Sequence, residues 1–398
     1  MRITYLSPYF WPEEIGSAPY CTELALFLSG KGHSVSTLAF RPHYPSVEGF
    51  SAWSDGARDY DTLDKVEVVR VPVRERGSGG FIDRIRNDIR YLWTVCTHSI
   101  RGRFRSTDTV VAYVPSILTL YGAKVIKLLT GARTVAVVHD IESGLASSLG
   151  ITRSRGMLRI MQFVERVGLN LTDQVVVLTD GMKRELETLG CRRPITVLPI
   201  WASVGPNTPI QLTARPKLMY SGNFGKKQNL DQLLPLLKRL SDEEVAVDVI
   251  LRGDGSEKSR IEAEIQNLGI GNVRFLPLAP SDQFMDSLQS ANIHLVPQAL
   301  NVANYALPSK LVSIMSSGRP FICIAEKDSP LDQLSLSSGA ALCIPPGQND
   351  LLFAAVTDLL KNPPRQEKMG QNGQAFVRKH MDKDAILSEY ERIIVAVK

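Results

Sequence analysis

Short runs of Val, Ile and Leu recur along the chain, each bounded by turn residues and most followed by a stretch with helical spacing of its apolar positions. In the first half the runs fall at residues 3–7, 34–39, 66–71, 109–114, 133–138, 174–178 and 195–199. They are mostly apolar rather than alternating, so they read as strands covered on both faces. A helix is expected over 20–30, stopped by Gly32. The rhythm restarts at Lys217, with strands at 217–221, 245–251, 273–276, 294–296 and 321–324. Helices are expected over 229–240, 257–268, 282–290, 309–317 and 350–360. Strands alternating with helices predict an α/β protein with two doubly wound parallel sheets. Residues 201–216 hold three Pro and read as a linker. The expected division is a first domain over 1–200, the linker over 201–216 and a second domain over 217–380. A last helix, within 381–398, has no strand after it and is expected to pack back toward the first domain. Two such sheets facing each other form a cleft, and ligands of doubly wound sheets sit at the carboxyl ends of strands.

Composition narrows the class. Hydrophobic residues are 44% and charged residues 22% of 398, which excludes a disordered, collagenous or coiled-coil chain. The five Cys are scattered and form no C-x-x-C pair, arguing for reduced thiols and against a disulfide framework or structural zinc. The opening MRITYLSPYF lacks the pattern of a signal peptide, and no apolar run reaches the length of a membrane span. The net charge of +5 is unevenly placed: residues 70–105 hold nine Arg against three acids. That local excess points to an acidic surface or partner.

Candidate chemistry follows the strands. The loop PYFWPEEIGSA (8–18) opens a helix, and Gly16 and Ser17 sit where backbone N–H groups can approach a phosphate. YSGNFGKKQNLD (220–231) offers Gly222, Asn223, Gly225 and two Lys, without the spacing of a P-loop. RGDGS (252–256) offers a glycine turn at Gly253. In ALPSKLVSIMSSGRP (306–320), Ser309 and Lys310 fall in the first turn of a helix. A Lys there opposes the helix dipole, a conflict that an anionic ligand resolves. His139 and Asp140 follow the strand 133–138, where Asp140 could orient or deprotonate a hydroxyl. Glu142, Glu13 and Glu14 are further carboxylates near strand ends.

Taken in order, PYFWPEEIGSA, GKGHSV (30–35), YSGNFGKKQNLD, RGDGS, VRFLPLAP (273–280) and LPSKLVSIMSSGRP resemble the retaining glycosyltransferases of family 4, which have the GT-B fold. Within that family the chain is most similar to bacterial surface-polysaccharide enzymes of the fucosyl- and N-acetylfucosaminyl-transferase type. The resemblance implies a UDP- or GDP-linked sugar as co-substrate, a 6-deoxy or N-acetylamino donor sugar, no further cofactor and no metal. It implies a diphosphate met by Gly16 and Ser17 from one domain and by Gly222, Asn223 and Lys227 from the other. Gly253 would lie beneath the donor, the backbone of Leu276–Leu278 would hold the base, and Ser309 and Lys310 would touch phosphate or sugar. His139 would hydrogen-bond the donor sugar, with Asp140 beside the acceptor. The chain departs from the family pattern at Asn223 and Gln228, where many members carry Arg and Lys, which leaves Lys227 and Lys310 as phosphate cations. It departs again at Tyr305 and Ser313, where many members carry the two Glu that hold ribose and donor sugar.

In FIDRIRNDIRYLWTVCTHSI (81–100), Ile82, Ile85, Ile89, Leu92, Cys96 and Ile100 recur at helical spacing. Arg84, Arg86 and Arg90 lie off that stripe, and Arg101, Arg103 and Arg105 follow it. One reading puts the stripe against the sheet and the basic face in water. The other makes Arg84, Arg90, Arg101, Arg103 and Arg105 contacts to an anionic membrane surface, where a lipid-linked acceptor would be met. No nucleic-acid motif accompanies the patch. The expectation is a cytoplasmic transferase attached to the inner face of the cell membrane. A sugar-nucleotide 2-epimerase and a non-catalytic scaffold of the same fold are the alternatives.

Overall fold

The computed structural model describes residues 1–14, 16–43, 48–73, 81–114, 116–150, 154–206, 208–210, 215–300, 302, 305 and 310–396. The chain divides into two compact units, Met1–Ser147 with Thr152–Pro199 and Asp384–Lys398, and Ser148–Ile151 with Ile200–Lys383.

The first unit is built on eight strands: β1 (Arg2–Leu6), β2 (Ser34–Phe40), β3 (Tyr60–Leu63), β4 (Val66–Val71), β5 (Thr109–Val114), β6 (Arg133–Val138), β7 (Gln174–Val177) and β8 (Ile195–Val197). They form one sheet in the order β3-β4-β2-β1-β5-β6-β7-β8. All neighbours are parallel except β3 against β4. Every residue of β5 is buried, as its unbroken apolar run requires. From β4 through β5 and β6 to β7 the chain steps in one direction across the sheet. Right-handed crossovers therefore bring the helices Phe81–Ile100, Leu118–Thr130 and Arg155–Asn170 to one face. They pack side by side: a Cβ on Gly122 would touch Val95, and the Tyr121 hydroxyl donates to the Val164 carbonyl at 2.8 Å. The last helix, Lys383–Val395, is tied into this unit. Thr109 Oγ1 donates to its Ile394 carbonyl at 3.1 Å, and Arg133 to its Ile393 carbonyl.

The second unit has six strands, all parallel: β9 (Lys217–Ser221), β10 (Asp248–Arg252), β11 (Val273–Leu276), β12 (Ile293–Pro297), β13 (Phe321–Ile324) and β14 (Ala341–Ile344). Their order is β11-β10-β9-β12-β13-β14, with the switch point between β9 and β12. The stretch read as a linker is anchored here. Trp201 and Ile210 are buried, and the Gly205 N–H donates to the Ser316 carbonyl at 3.0 Å. Arg319, only 2% exposed, donates to the carbonyls of Thr208 (2.8 Å), Gln289 (3.0 and 2.8 Å) and Ala291 (3.0 Å). One guanidinium thus satisfies three backbone acceptors that would otherwise be buried without partners. Arg319→Met is expected to lower the stability of this unit by about 3 kcal/mol or more, read as an earlier denaturant midpoint. A midpoint within error of wild type would show that water replaces the guanidinium.

Candidate active site

In the second unit, the loops after three adjacent strands interlock. The Gly253 N–H donates to the Leu276 carbonyl (3.0 Å), the Gly222 N–H to Arg252 (3.0 Å) and the Phe224 N–H to Asp254 (2.7 Å). The Tyr220 hydroxyl closes its own loop on the Asn223 carbonyl. Gly222 and Gly253 have φ of 145° and 142°, a region that side chains rarely adopt. A Cβ on Gly253 would lie 1.8 Å from the Gly222 oxygen. The glycines predicted to let a ligand approach thus first let the two loops approach each other.

Lys310 begins the helix Lys310–Ser316 and reaches over this platform. Its ammonium nitrogen lies 3.8 Å from the centre of the Tyr220 ring, and its side chain packs on Gly222. That nitrogen is buried and has no hydrogen-bond partner among the described residues. Burial pulls its pKa from 10.5 down to about 7. A cation kept from water without a counter-charge is costly, and an anionic ligand is the plain remedy. Lys227 is half-buried in the same loop, and its carbonyl accepts the Ala299 N–H at 2.8 Å. Arg252 Nη1 donates to the Pro277 carbonyl at 3.0 Å, which occupies one acceptor of the segment expected to hold the base; Leu278 is exposed. Ser309 lies outside the described residues. Ser313 is half-buried on the helix that Lys310 starts, and the Tyr305 N–H donates to the Val302 carbonyl at 3.0 Å.

In the first unit, β6 ends at His139 and Asp140. The His139 imidazole is buried beside Tyr113 and Tyr20, with ring centres 5.3 and 5.9 Å away. Burial holds its pKa down to about 4, so it is neutral at pH 7, and Nε2 has no partner among the described residues. Just beyond, Glu142 is paired with Arg84. Desolvation pushes the Glu142 carboxyl up to about 8 against the pull of Arg84, and Asp88, Glu165 and Asp140 add to the rise. Glu165, buried on the helix Arg155–Asn170, accepts the N–H groups of Glu142 (3.0 Å) and Ser143 (3.3 Å). Sequence reasoning missed Glu165; its signal is a lone carboxylate within a helix otherwise lined by Arg. Arg84 was grouped with membrane cations, but Glu142 holds it at the end of β6. Arg90, Arg101, Arg103 and Arg105 are exposed.

In the first loop, Gly16 is exposed with φ of 69°, and Ser17 caps the helix Ala18–Gly30 without a side-chain capping bond. Glu13 is spent on structure: it is buried and accepts the His43 N–H at 2.9 Å. The chain has two D-x-D triplets, at 59–61 and 382–384. Asp59 of the first is bound by both arms of Arg41, at 2.7 Å each. No group of His, Cys, Asp and Glu among the described residues has the spacing of a metal site.

Two doubly wound sheets, each with polar side chains gathered at its strand ends, define a two-domain α/β protein. Residues 16–201 match the glycosyl transferase 4-like domain and residues 210–376 match the glycosyl transferases group 1 domain. The chain carries both and is a glycosyltransferase of the GT-B fold. It is 26% identical to the Escherichia coli (strain K12) protein named "Putative colanic acid biosynthesis glycosyl transferase WcaI", over 98% of either protein. Its structure is similar to that of sucrose-phosphate synthase from Thermosynechococcus elongatus, with a TM-score of 0.77, 16% identity and 98% of each chain covered. It is also similar to Anabaena HepE, solved in complex with UDP-glucose, with a TM-score of 0.71, 13% identity and 100% of each chain covered.

Proposed function

We propose that the protein transfers a sugar, with retention, from a nucleoside diphosphate to a lipid-linked saccharide during surface-polysaccharide assembly. The observation that carries the donor half is the buried, unpartnered Lys310 ammonium above the interlocked glycine loops. A diphosphate supplies the missing counter-charge. Lys227 lies in the same loop, and Asn223 replaces a charged neighbour found in many relatives. The base would rest against residues 276–278, and Gly16 and Ser17 would meet phosphate from the first unit.

The acceptor half is assigned to the end of β6. Neutral His139 has a buried Nε2, without a partner among the described residues, that a sugar hydroxyl would satisfy, and Asp140 would orient the acceptor. The departing phosphate would take the acceptor proton, so no side-chain nucleophile is needed. Likeness to WcaI supports a polysaccharide product, and likeness to HepE supports a UDP-linked donor. The donor sugar would be a 6-deoxy or N-acetylamino hexose, by resemblance to the fucosyl-type subgroup. The epimerase and scaffold alternatives are not favoured by the two matched domains.

Calorimetric titration of the full chain with UDP and, separately, GDP, with chelator present, tests this reading. Binding of one of them is expected, and it names the donor class. Binding of neither would overturn the donor site.

A further inference from the structure

The helix Phe81–Ile100 is turned opposite to its apolar pattern. Its buried positions are Asn87, Tyr91, Val95 and Ser99. Ile89 and Trp93 are 56% and 70% exposed, and Ile85 lies open beside them. The helix Arg155–Asn170 shows the same inversion. It buries Glu165, Gly168 and Leu169 and exposes Met157, Ile160 and Phe163. Between them, Leu128 and Leu129 of the helix Leu118–Thr130 are open as well. All three helices lie on one face of the sheet, so their outward sides form one layer surface. A water-facing layer gains nothing from this arrangement, whereas a docking surface does.

Charge identifies the occupant. Arg86, Arg90, Arg155 and Arg159 are exposed along the two helices. The acids there are few: Asp83 faces Arg86 at 3.6 Å, Asp88 is half-buried beside Arg84 and Glu142, and Glu165 points inward. At the end of the second helix, Arg166, Arg192 and Arg193 line a surface pocket with Asn170 and Gly190, and no carboxylate enters it. Asn170 builds that pocket, accepting the Arg192 N–H at 2.9 Å and donating to the Gly190 carbonyl at 3.0 Å. Arg193 donates from Nε (2.8 Å) and Nη2 (2.5 Å) to the Asn170 carbonyl, which leaves its Nη1, with Arg166 and Arg192, facing the hollow to suit a phosphate headgroup. A second copy seated on this face by a two-fold axis would set arginines against arginines.

We infer that the outer face of the helices Phe81–Ile100 and Arg155–Asn170 docks on an anionic lipid bilayer, with Trp93 and Phe163 entering the headgroup boundary and Arg166, Arg192 and Arg193 holding lipid phosphate. The inference deepens the lipid-linked acceptor reading and rests on it for its use. It moves the contact from Arg84 and the 101–105 turn to an apolar surface framed by other arginines.

The test is flotation of the full chain with phosphatidylcholine vesicles, with and without about one third phosphatidylglycerol, at about 0.1 M salt. The wild type is expected to float with the anionic vesicles only. The double substitution Trp93→Ser with Phe163→Ser should cut the bound fraction by roughly tenfold or more. Arg192→Glu should weaken binding in a salt-dependent way. Both variants should keep the wild-type melting temperature and nucleotide titration, since the altered side chains are exposed. If the double variant does not fold, Ile160→Glu alone serves. Wild type that ignores anionic vesicles, or variants that bind them undiminished, would overturn the inference. So would a wild-type dimer that the apolar variant splits without any vesicle binding. Nucleotide titration is read separately, so a failed donor site and a failed docking face are told apart.

Discussion

Lys310→Met is expected to weaken nucleotide binding strongly while leaving the second unit as stable as wild type or more so. Most active-site losses come with some loss of fold, so the opposite signs are the diagnostic. Methionine keeps the apolar stem on Tyr220 and Gly222 and removes a buried ammonium that has no partner among the described residues. A charge-assisted bond to phosphate is stronger than a neutral one, so affinity should fall by roughly tenfold to a hundredfold.

The pH dependence has a fixed sign. The folded pKa of about 7 lies below the ordinary 10.5, so between those values the unfolded chain holds a proton that the folded chain lacks. Stability from this group therefore rises with pH across that window, and its full cost is present below about 7. Binding runs the other way. The protonated form holds phosphate, so affinity should fall as pH rises above about 7, and proton uptake should appear as a buffer-dependent binding enthalpy. Lys310→Met should erase both slopes. A variant that binds like wild type would remove Lys310 from the donor site.

Gly253→Ala is expected to destabilise the second unit by about 3 kcal/mol or more and to abolish nucleotide binding. The new Cβ would stand 1.8 Å from the Gly222 oxygen and 2.9 Å from its carbonyl carbon, and φ of 142° is strained for alanine. Backbone, not a flexible side chain, would have to move, and both donor loops would move with it. Gly271→Ala is the control, because nothing lies within 4 Å of its Cβ position and its φ lies outside the left-handed region. Thermal and chemical unfolding of both variants, followed by UDP titration, would check this. A Gly253→Ala protein that melts and binds like wild type would show that the loops are not held by their mutual approach.

Most strands could be read from their residues. β4, β5, β6 and β9 are apolar runs because helices cover both faces of a parallel sheet, and burial on both sides is a local compositional demand. The elements that escaped notice are those whose reason lies elsewhere in the chain. β3 is a polar antiparallel edge strand, and β14 is a short edge. The helix Pro363–His380 carries Gly370 and Gly373, each costing about 1 kcal/mol of helix propensity. They are explained only by contact: a Cβ on Gly370 would lie 2.0 Å from the Gly318 carbonyl oxygen, and one on Gly373 would press on Met315.

The candidate site divides the same way. Lys310, the glycine loops and the His139–Asp140 pair were legible because each follows a strand, and strand ends are where such sheets bind ligands. That the Lys310 ammonium lacks a hydrogen-bond partner among the described residues, that Arg84 serves Glu142, and that Glu165 holds the Glu142 backbone lay beyond the pattern. So did the orientation of the amphipathic helix 81–100, whose apolar stripe fits the sheet and a membrane equally well on paper. Periodicity records which side chains share a face of a helix. Only packing against Gly122, Gly168 and their neighbours decides which face turns inward, because small residues let backbones approach and exclude the bulkier stripe.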